Sequence, residues 1–329
     1  MITTLEMFSR LIPALWLRPE RALWDAHELA AVGNMLVPRF THPALEYGCT
    51  DGVNSFVLLG GLLPFEFDDY ADLAADAAHS QNFTFKPESS SPDYFDGTLP
   101  DALIFVEKQP EQYFDVGVSW RRSHLTKARR LNIYRELIEV PLDQPLHIQL
   151  GLRAFSTIWS PNLYWTSQNN LSPLLQSHAS MLAKSGKIYT IMPDQLQIEH
   201  QYLASLSYLP KDWLEFVDRG ISKNLTANAK SFSEWQQLFQ SCNLEITDHK
   251  TFLPSAAGNI YQIGFRPMFD VFLTMYQMLK QSSPTDWLDL KHHWVEVISH
   301  FMEPLCDDKW QTQAGFPKLW HLFELAHAE

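Results

Sequence analysis

The stretch Ala44-Leu45-Glu46-Tyr47-Gly48-Cys49-Thr50-Asp51-Gly52, followed by Val53-Asn54-Ser55-Phe56-Val57-Leu58-Leu59, leaves this chain few ways to fold locally. A short apolar start ends in an acid, a turn of small residues follows, and an apolar run then begins a helix. This is the pattern of a strand, a tight loop and a helix N-terminus in a nucleotide-binding α/β unit. Glycine lets the backbone take positive φ and approach a ligand closely. The helix start offers N–H groups with no partner inside the helix.

The flanking sequence supplies the rest of an α/β pattern. Residues 1 to about 36 carry Leu5, Phe8, Leu11 and Ile12, then Leu23, Trp24, His27, Leu29 and Ala30, at helical spacing, with Pro19 opening the second helix. After Gly60-Gly61 comes an acidic, Ser- and Pro-rich excursion over 61–112, with one short helix expected at Tyr70 to Ala78. Tyr113 to Trp120 then reads as a strand, Ser123 to Leu131 as a helix, Arg135 to Val140 as a strand and Leu152 to Trp159 as another. A helix over Leu171 to Ala183, closed by Ser185-Gly186, leads to a strand over Lys187 to Met192. Such alternation implies a mainly parallel sheet covered on both faces. Residues 193–230 read as a helical, aromatic insertion, and Phe232 to Ser241 as an amphipathic helix capped by Ser231 or Ser233. Leu244 to Phe252 and Asn259 to Phe265 read as closing strands, and the Trp-rich tail from Pro267 to Glu329 as helices that cover the fold or form a homodimer surface.

The spacing Glu46-x-Gly48-x-Thr50-x-Gly52 resembles the opening motif of the class I S-adenosylmethionine (SAM) dependent methyltransferases, an acid followed by three glycines at alternate positions, with Thr50 in place of the middle glycine. The resemblance runs over roughly Ala44 to Phe265. It implies an α/β, Rossmann-like methyltransferase fold with a mainly parallel seven-stranded sheet and helices on both faces. The expected division is an N-terminal helical cap over 1–36, the methyltransferase-like unit over 37–265 and a C-terminal helical extension over 266–329. It implies SAM as cofactor, bound by Glu46, Gly48, Cys49, Thr50, Asp51 and Gly52, together with Ser119, Trp120, Leu142 and Ser160. The acceptor is expected near Asn162, Tyr164 and Trp165.

This sequence departs from the family at further stations. Ser119 stands where an acid usually binds the ribose diol, and a hydroxyl cannot accept two hydrogen bonds from a diol as a carboxylate does. Pro141 stands where an acid commonly holds the adenine amino group, with Asp143 two residues on. Phe155-Ser156-Thr157-Ile158 lacks the acid of the usual Phe-Asp-x-Ile. Two functions therefore follow from the resemblance: a methyltransferase acting on a small-molecule, saccharide or lipid-like acceptor, or a degenerate fold that has lost SAM and serves as a binding or partner subunit.

Composition narrows the alternatives. A net charge of −13 argues against a nucleic-acid substrate, and the basic run Arg121 to Arg130 reads as a solvated helix face. The three cysteines, Cys49, Cys242 and Cys306, form neither a disulfide framework nor a zinc motif. Neither a membrane span nor a cleavable signal is expected, which suggests a cytoplasmic protein. Ser55 and Ser160 lack the Gly-x-Ser-x-Gly elbow of hydrolases, and the glycine spacing does not suit a nicotinamide enzyme. His293, Glu296 and His300 share a helix face with His292 beside them, which reads as surface rather than as a metal site. His124, His178 and His200 are the candidate bases. Trp159, Tyr164, Trp165, Tyr202, Tyr208, Trp213 and Phe216 are candidate pocket walls.

Overall fold

A computed structural model describes residues 1–70, 103–141, 150–151, 153–161, 163, 168–206, 208–218, 225, 227–265, 268–283 and 285–328. In chain order the described elements begin with α1 (Thr4–Leu11), α2 (Pro19–Met35), β1 (Ala44–Tyr47), α3 (Val53–Leu58), β2 (Phe114–Ser119), α4 (Arg122–Arg129) and β3 (Tyr134–Glu139). Then come β4 (Phe155–Ser160), α5 (Gln168–Met181), β5 (Leu182–Pro193), the short helices α6 (Leu196–Glu199) and α7 (Tyr202–Ser205), and α8 (Lys211–Asp218). The chain closes with α9 (Phe232–Ser241), β6 (Leu244–Pro254), α10 (Ser255–Ile263), α11 (Phe269–Ser282), α12 (Asp286–Met302), α13 (Asp308–Gln313) and β7 (Lys318–His327).

The strands form one seven-stranded sheet in the order β3-β2-β1-β4-β5-β7-β6. The first five run parallel, and β7 is antiparallel to both β5 and β6. This order and polarity are those of the class I methyltransferase fold. β1 is buried at every residue, and β2 and β4 at five of six. Such continuous burial, rather than alternation, marks strands covered on both faces. Side chains help fix the helix starts. Pro19 sits at the first turn of α2, where its missing N–H costs nothing. Ser231 caps α9 in a reciprocal arrangement with Glu234, which satisfies two donors the helix leaves open.

The structure corrects three expectations. Asn259 to Phe265 is not a strand: it falls largely within α10, whose apolar Ala257, Ile260 and Tyr261 follow helical spacing. The final strand is β7, from the tail expected to be helical, and it inserts between β5 and β6. Seven of its ten residues are buried in one run, so it lacks the period-two signature of a half-exposed strand. Ser185-Gly186 does not end a helix either, because β5 already begins at Leu182. These residues lie where the β4–β5 register shifts, and a Cβ on Gly186 would stand 2.7 Å from the Phe155 carbonyl oxygen. The chain bulges there, and only glycine admits the neighbouring backbone.

The ends of the 61–112 excursion are joined by an antiparallel bridge between Leu62 and Lys108. Lys291 on α12 is fully buried and donates to the carbonyls of Phe65 and Phe67 at 2.6 and 2.7 Å. Trp16 donates to Asp68 at 3.0 Å, and Trp294 to the Trp16 carbonyl at 2.8 Å. The helix expected over Tyr70 to Ala78 lies outside the described residues beyond Tyr70.

Candidate functional site

β1 is the central strand at which the strand order reverses direction, with β2 on one side and β4 on the other. In open α/β sheets the crevice beyond the strand ends at such a point is where ligands bind. A cavity of about 170 Å³ lies there, smaller than the roughly 300–1,000 Å³ of drug-sized sites. The loop after β1 contributes Glu46, Gly48, Cys49 and Thr50, and the end of β4 contributes Trp159 and Pro161. Glu46 and Trp159 are register partners across the two strands. The start of α3 adds Asn54 and Ser55, and Leu225 and Tyr261 close one side. α2 completes the wall with Arg21, Trp24, Asp25, Glu28 and Leu29.

The position of Glu46 depends on a glycine on the neighbouring strand. Gly117 on β2 pairs with Glu46 on one side and with Leu137 on β3 on the other. A Cβ at Gly117 would stand 2.5 Å from the Tyr134 ring and 2.8 Å from Leu137. The missing side chain thus lets Tyr134 cross β2 and donate to Glu46 Oε2 at 2.8 Å. Ser55 donates to Glu46 Oε1 at 2.7 Å. Burial raises the Glu46 carboxyl to about 7, its two hydrogen bonds oppose the shift, and Asp51 adds to it.

The loop itself uses left-handed backbone at Gly48 (φ +84°), Thr50 (φ +47°) and Gly52 (φ +82°). Thr50 holds this conformation despite its β-branch, at a cost of roughly 1–2 kcal/mol. Gly52 precedes α3, where a Cβ would meet Leu131, Tyr134 and Ala128 at 3.2–3.3 Å. The Gly48 and Cys49 amides both donate to the Val118 carbonyl, at 2.8 and 2.9 Å. Asp51 accepts from the Val53 amide at 3.0 Å.

Carboxyls outnumber cations around this cavity. Arg21 lies 3.4 Å from Asp25, 3.6 Å from Asp51 and 3.3 Å from Asp69, and Lys127 stands 3.8 Å from Asp69. Glu28 and Glu46 add two more buried carboxyls. Burial drives Glu28 well above the usual carboxylate range, Asp25 and Glu46 push it further, and Arg21 opposes. Asp25 is also raised by burial, against the pull of Arg21. Among the described residues the Glu28 carboxyl makes no hydrogen bond or ion pair. Asn54 Oδ1 is buried without a hydrogen-bond partner, and Asp25 Oδ2 has only its ion pair with Arg21 Nε.

Of the residues expected at the cofactor site, Glu46, Gly48, Cys49 and Thr50 line the cavity, and Asp51 and Gly52 follow in the loop without lining it. Ser119 is fully buried at the end of β2, its hydroxyl 3.3 Å from His124 Nδ1 and accepting from the Arg121 amide at 3.4 Å. Trp120 packs edge-on against His124. Ser160 is fully buried and donates to His178 Nε2 at 2.8 Å, because His178 Nδ1–H is already given to the Leu174 carbonyl. Burial lowers His178 to about 4, so it is a neutral core imidazole and not a base facing the cavity. Neither serine nor Trp120 lines the cavity. Leu142, Asn162, Tyr164 and Trp165 lie outside the described residues.

The resemblance suggests the N-terminal helices as a lid or a structural cap, but the sequence reading did not single out the α2 residues that line the cavity. Their signal was Arg21, Asp25 and Glu28 at i, i+4 and i+7 on a helix buried along most of its length, a spacing that puts them on one face. Of the candidate aromatic walls, Trp159 lines the cavity, whereas Tyr202, Tyr208 and Trp213 are exposed. His200 is exposed, and His292 stacks on Phe65. Among the described residues no group of three or more His, Cys, Asp or Glu is placed to hold a metal ion, and no helix is long and apolar enough to cross a membrane.

The cavity suits the cationic half of SAM. It is lined by the carboxyls of Asp25, Glu28 and Glu46 and by Trp24 and Trp159, groups that attract a cation when the carboxyls are ionised. The end of β2 does not suit the ribose, since Ser119 carries no carboxylate and its hydroxyl is engaged.

The Glu46 shift predicts a pH dependence. A carboxyl that holds its proton to about pH 7 in the fold and to about 4.5 when unfolded contributes stability below pH 4.5. That contribution is lost as pH rises through 7. Urea unfolding of Glu46→Gln and the parent from pH 4 to 8 is expected to show the difference moving by about 3 kcal/mol in the variant's favour as pH rises. A constant difference would mean that Glu46 ionises normally in the fold.

No protein-family model and no curated protein matches the sequence. Among solved structures, the chain is similar to a SAM-dependent methyltransferase from Thiobacillus denitrificans in complex with S-adenosyl-L-homocysteine, at 11% identity over 91% of this chain and 90% of that one, with a TM-score of 0.42. It is similar to a SAM-dependent methyltransferase from Geobacter sulfurreducens in the same complex, at 12% identity over 91% and 90%, again with a TM-score of 0.42. Likeness at this level is one of outline only. Strand order and polarity make the chain a protein of the class I methyltransferase fold.

Proposed function

We propose that the chain is a SAM-dependent methyltransferase with a small-molecule acceptor. The reading rests on the cavity between the ends of β1 and β4, which is lined by the buried carboxyls of Asp25, Glu28 and Glu46 together with Arg21. SAM bound there would supply an electrophilic methyl group on a cationic sulfur. Glu46, held by Ser55 and Tyr134, fixes the floor of the cavity, and Gly48 to Thr50 shape its edge. Trp24, Trp159 and Leu225 exclude water from the reacting ends, and alignment in such a site carries much of the rate.

Calorimetric titration with SAM and with S-adenosylhomocysteine tests this. Micromolar binding of both is expected, weakened more than tenfold by Gly48→Val, which puts a β-branched side chain at φ +84°. Absence of binding to well-folded protein would overturn the enzyme reading. A second reading, a non-catalytic binding subunit, is favoured by one observation: Ser119, at the ribose station, is wholly buried and engaged. Lack of SAM binding together with capture of a defined partner protein would establish it.

A further inference from the structure

We propose that the chain binds an amphipathic anion, an apolar body with one carboxylate or phosphate head, in a second cavity on the far side of α2. This cavity measures about 650 Å³, within the roughly 300–1,000 Å³ of small-molecule sites. α2 separates it from the cavity at β1 and β4. Arg21, Asp25 and Glu28 line that first cavity, whereas His27, Ala30, Ala31 and Asn34 line the second. Helical spacing puts the two sets on opposite faces of α2. Among the described residues none lines both cavities, so the second site stands whether or not SAM binds at the first.

Its floor is apolar and its walls are fastened. Ala30, Ala31, Phe252 and Leu253 are buried there. Asn34 accepts from the Ile2 amide at 2.9 Å and donates to the Ile2 carbonyl at 2.7 Å, which holds residues 1–5 as one wall. His27 donates to the Leu305 carbonyl at 3.0 Å, which holds the turn after α12 as another. The β6 wall carries backbone strain. Among the described residues four non-glycine positions take positive φ: Asn132 and Asn243, whose side chains suit it, and Thr50 and Leu253, whose side chains do not. Thr50 lines the first cavity, and Leu253, at φ +56°, lines the second. Left-handed backbone at such residues persists only where the surroundings impose it, and it clusters at ligand sites.

Charge selects the ligand. Lys250, Lys309 and Lys318 stand at the rim, the first two exposed and the third half-buried. None of the three side chains makes a hydrogen bond or ion pair among the described residues. Two carboxyls line the same cavity. Asp307 is held as the cap of α13, accepting from the Lys309 and Trp310 amides, and Glu303 lies 4.0 Å from His300. Three cations against two carboxyls leave a positive balance on a chain whose net charge is −13. A neutral head leaves the lysines unpaired, and a cationic head is repelled. An anionic head draws the flexible ammonium groups onto itself, while its apolar body displaces water from Ala30, Ala31 and Phe252.

Calorimetric titration of the whole chain with octanoate, octyl phosphate, octan-1-ol and acetate tests this. Octanoate is expected to bind at least tenfold more tightly than octan-1-ol, which lacks the charge, and than acetate, which lacks the body. The preference over the alcohol is expected to shrink with added salt. Octyl phosphate binding more tightly than octanoate would assign a phosphate head, and the reverse a carboxylate. Lys250→Gln combined with Lys309→Gln changes two exposed side chains without partners, so the fold is expected to survive and the preference to fall at least fivefold. Equal binding of octanoate and octan-1-ol would overturn the proposal, as would acetate binding as tightly as octanoate. Octanoate binding unchanged in the lysine variant, or absent from the parent chain, would overturn it as well.

Discussion

A chain ending at Phe316 is expected not to fold. The truncation removes β7, whose Leu319, Trp320, Leu322, Phe323 and Leu325 are each fully buried. At about 2 kcal/mol per buried side chain the loss is roughly 10 kcal/mol, against about 5–15 kcal/mol for a whole domain. The backbone loss comes on top. β7 pairs with β5 from Ile188 to Pro193 and with β6 from Leu244 to Pro254, so both neighbours would become open edges. Circular dichroism, size exclusion and urea unfolding of the truncated chain are expected to show an aggregated or non-cooperative product. A soluble monomer that unfolds cooperatively would mean that the tail is a dispensable cover, as its sequence alone suggests.

Gly117→Ala is expected to cost about 3 kcal/mol and to damage the cavity at a distance. The new methyl group would press on the Tyr134 ring from 2.5 Å and on Leu137 from 2.8 Å, in a strand buried on both faces. Overpacking of this kind typically costs about 1–3 kcal/mol. A displaced Tyr134 leaves Glu46 Oε2 without its donor, which adds about 1–3 kcal/mol. Tyr134→Phe separates the two effects, because it removes the hydroxyl and keeps the ring. Urea midpoints are expected to fall less for Tyr134→Phe than for Gly117→Ala, and on the proposed function SAM affinity falls in both. Gly117→Ala at parental stability would mean that β3 can shift to admit a side chain, and that Glu46 does not depend on the crossing.

The sequence by itself determined what depends on neighbours along the chain. Strand, loop and helix around Glu46 to Gly52 follow from an apolar run, small turn residues and a helix start. The α9 boundary follows from Ser231 and Glu234, and the start of α2 from Pro19. β2 declared itself as a mostly apolar segment, and β3 as a mixed segment stopped before Pro141. These are local preferences, legible within a window of a few residues.

Only the tertiary structure decided the rest. Leu319 to Leu325 became the seventh strand because a slot between β5 and β6 buries both its faces, and burial on both faces erases the alternation by which a strand is read. Ser119 and Ser160, both at strand ends where a ligand is expected, are turned to His124 and His178 by packing. The acidic wall of the cavity comes from α2, with Tyr261 from α10, elements separated from one another by more than 200 residues of chain. Each of those residues, taken alone, is an ordinary member of a buried helix. They become a site only where packing brings several carboxyls to one guanidinium in a space too dry to screen them.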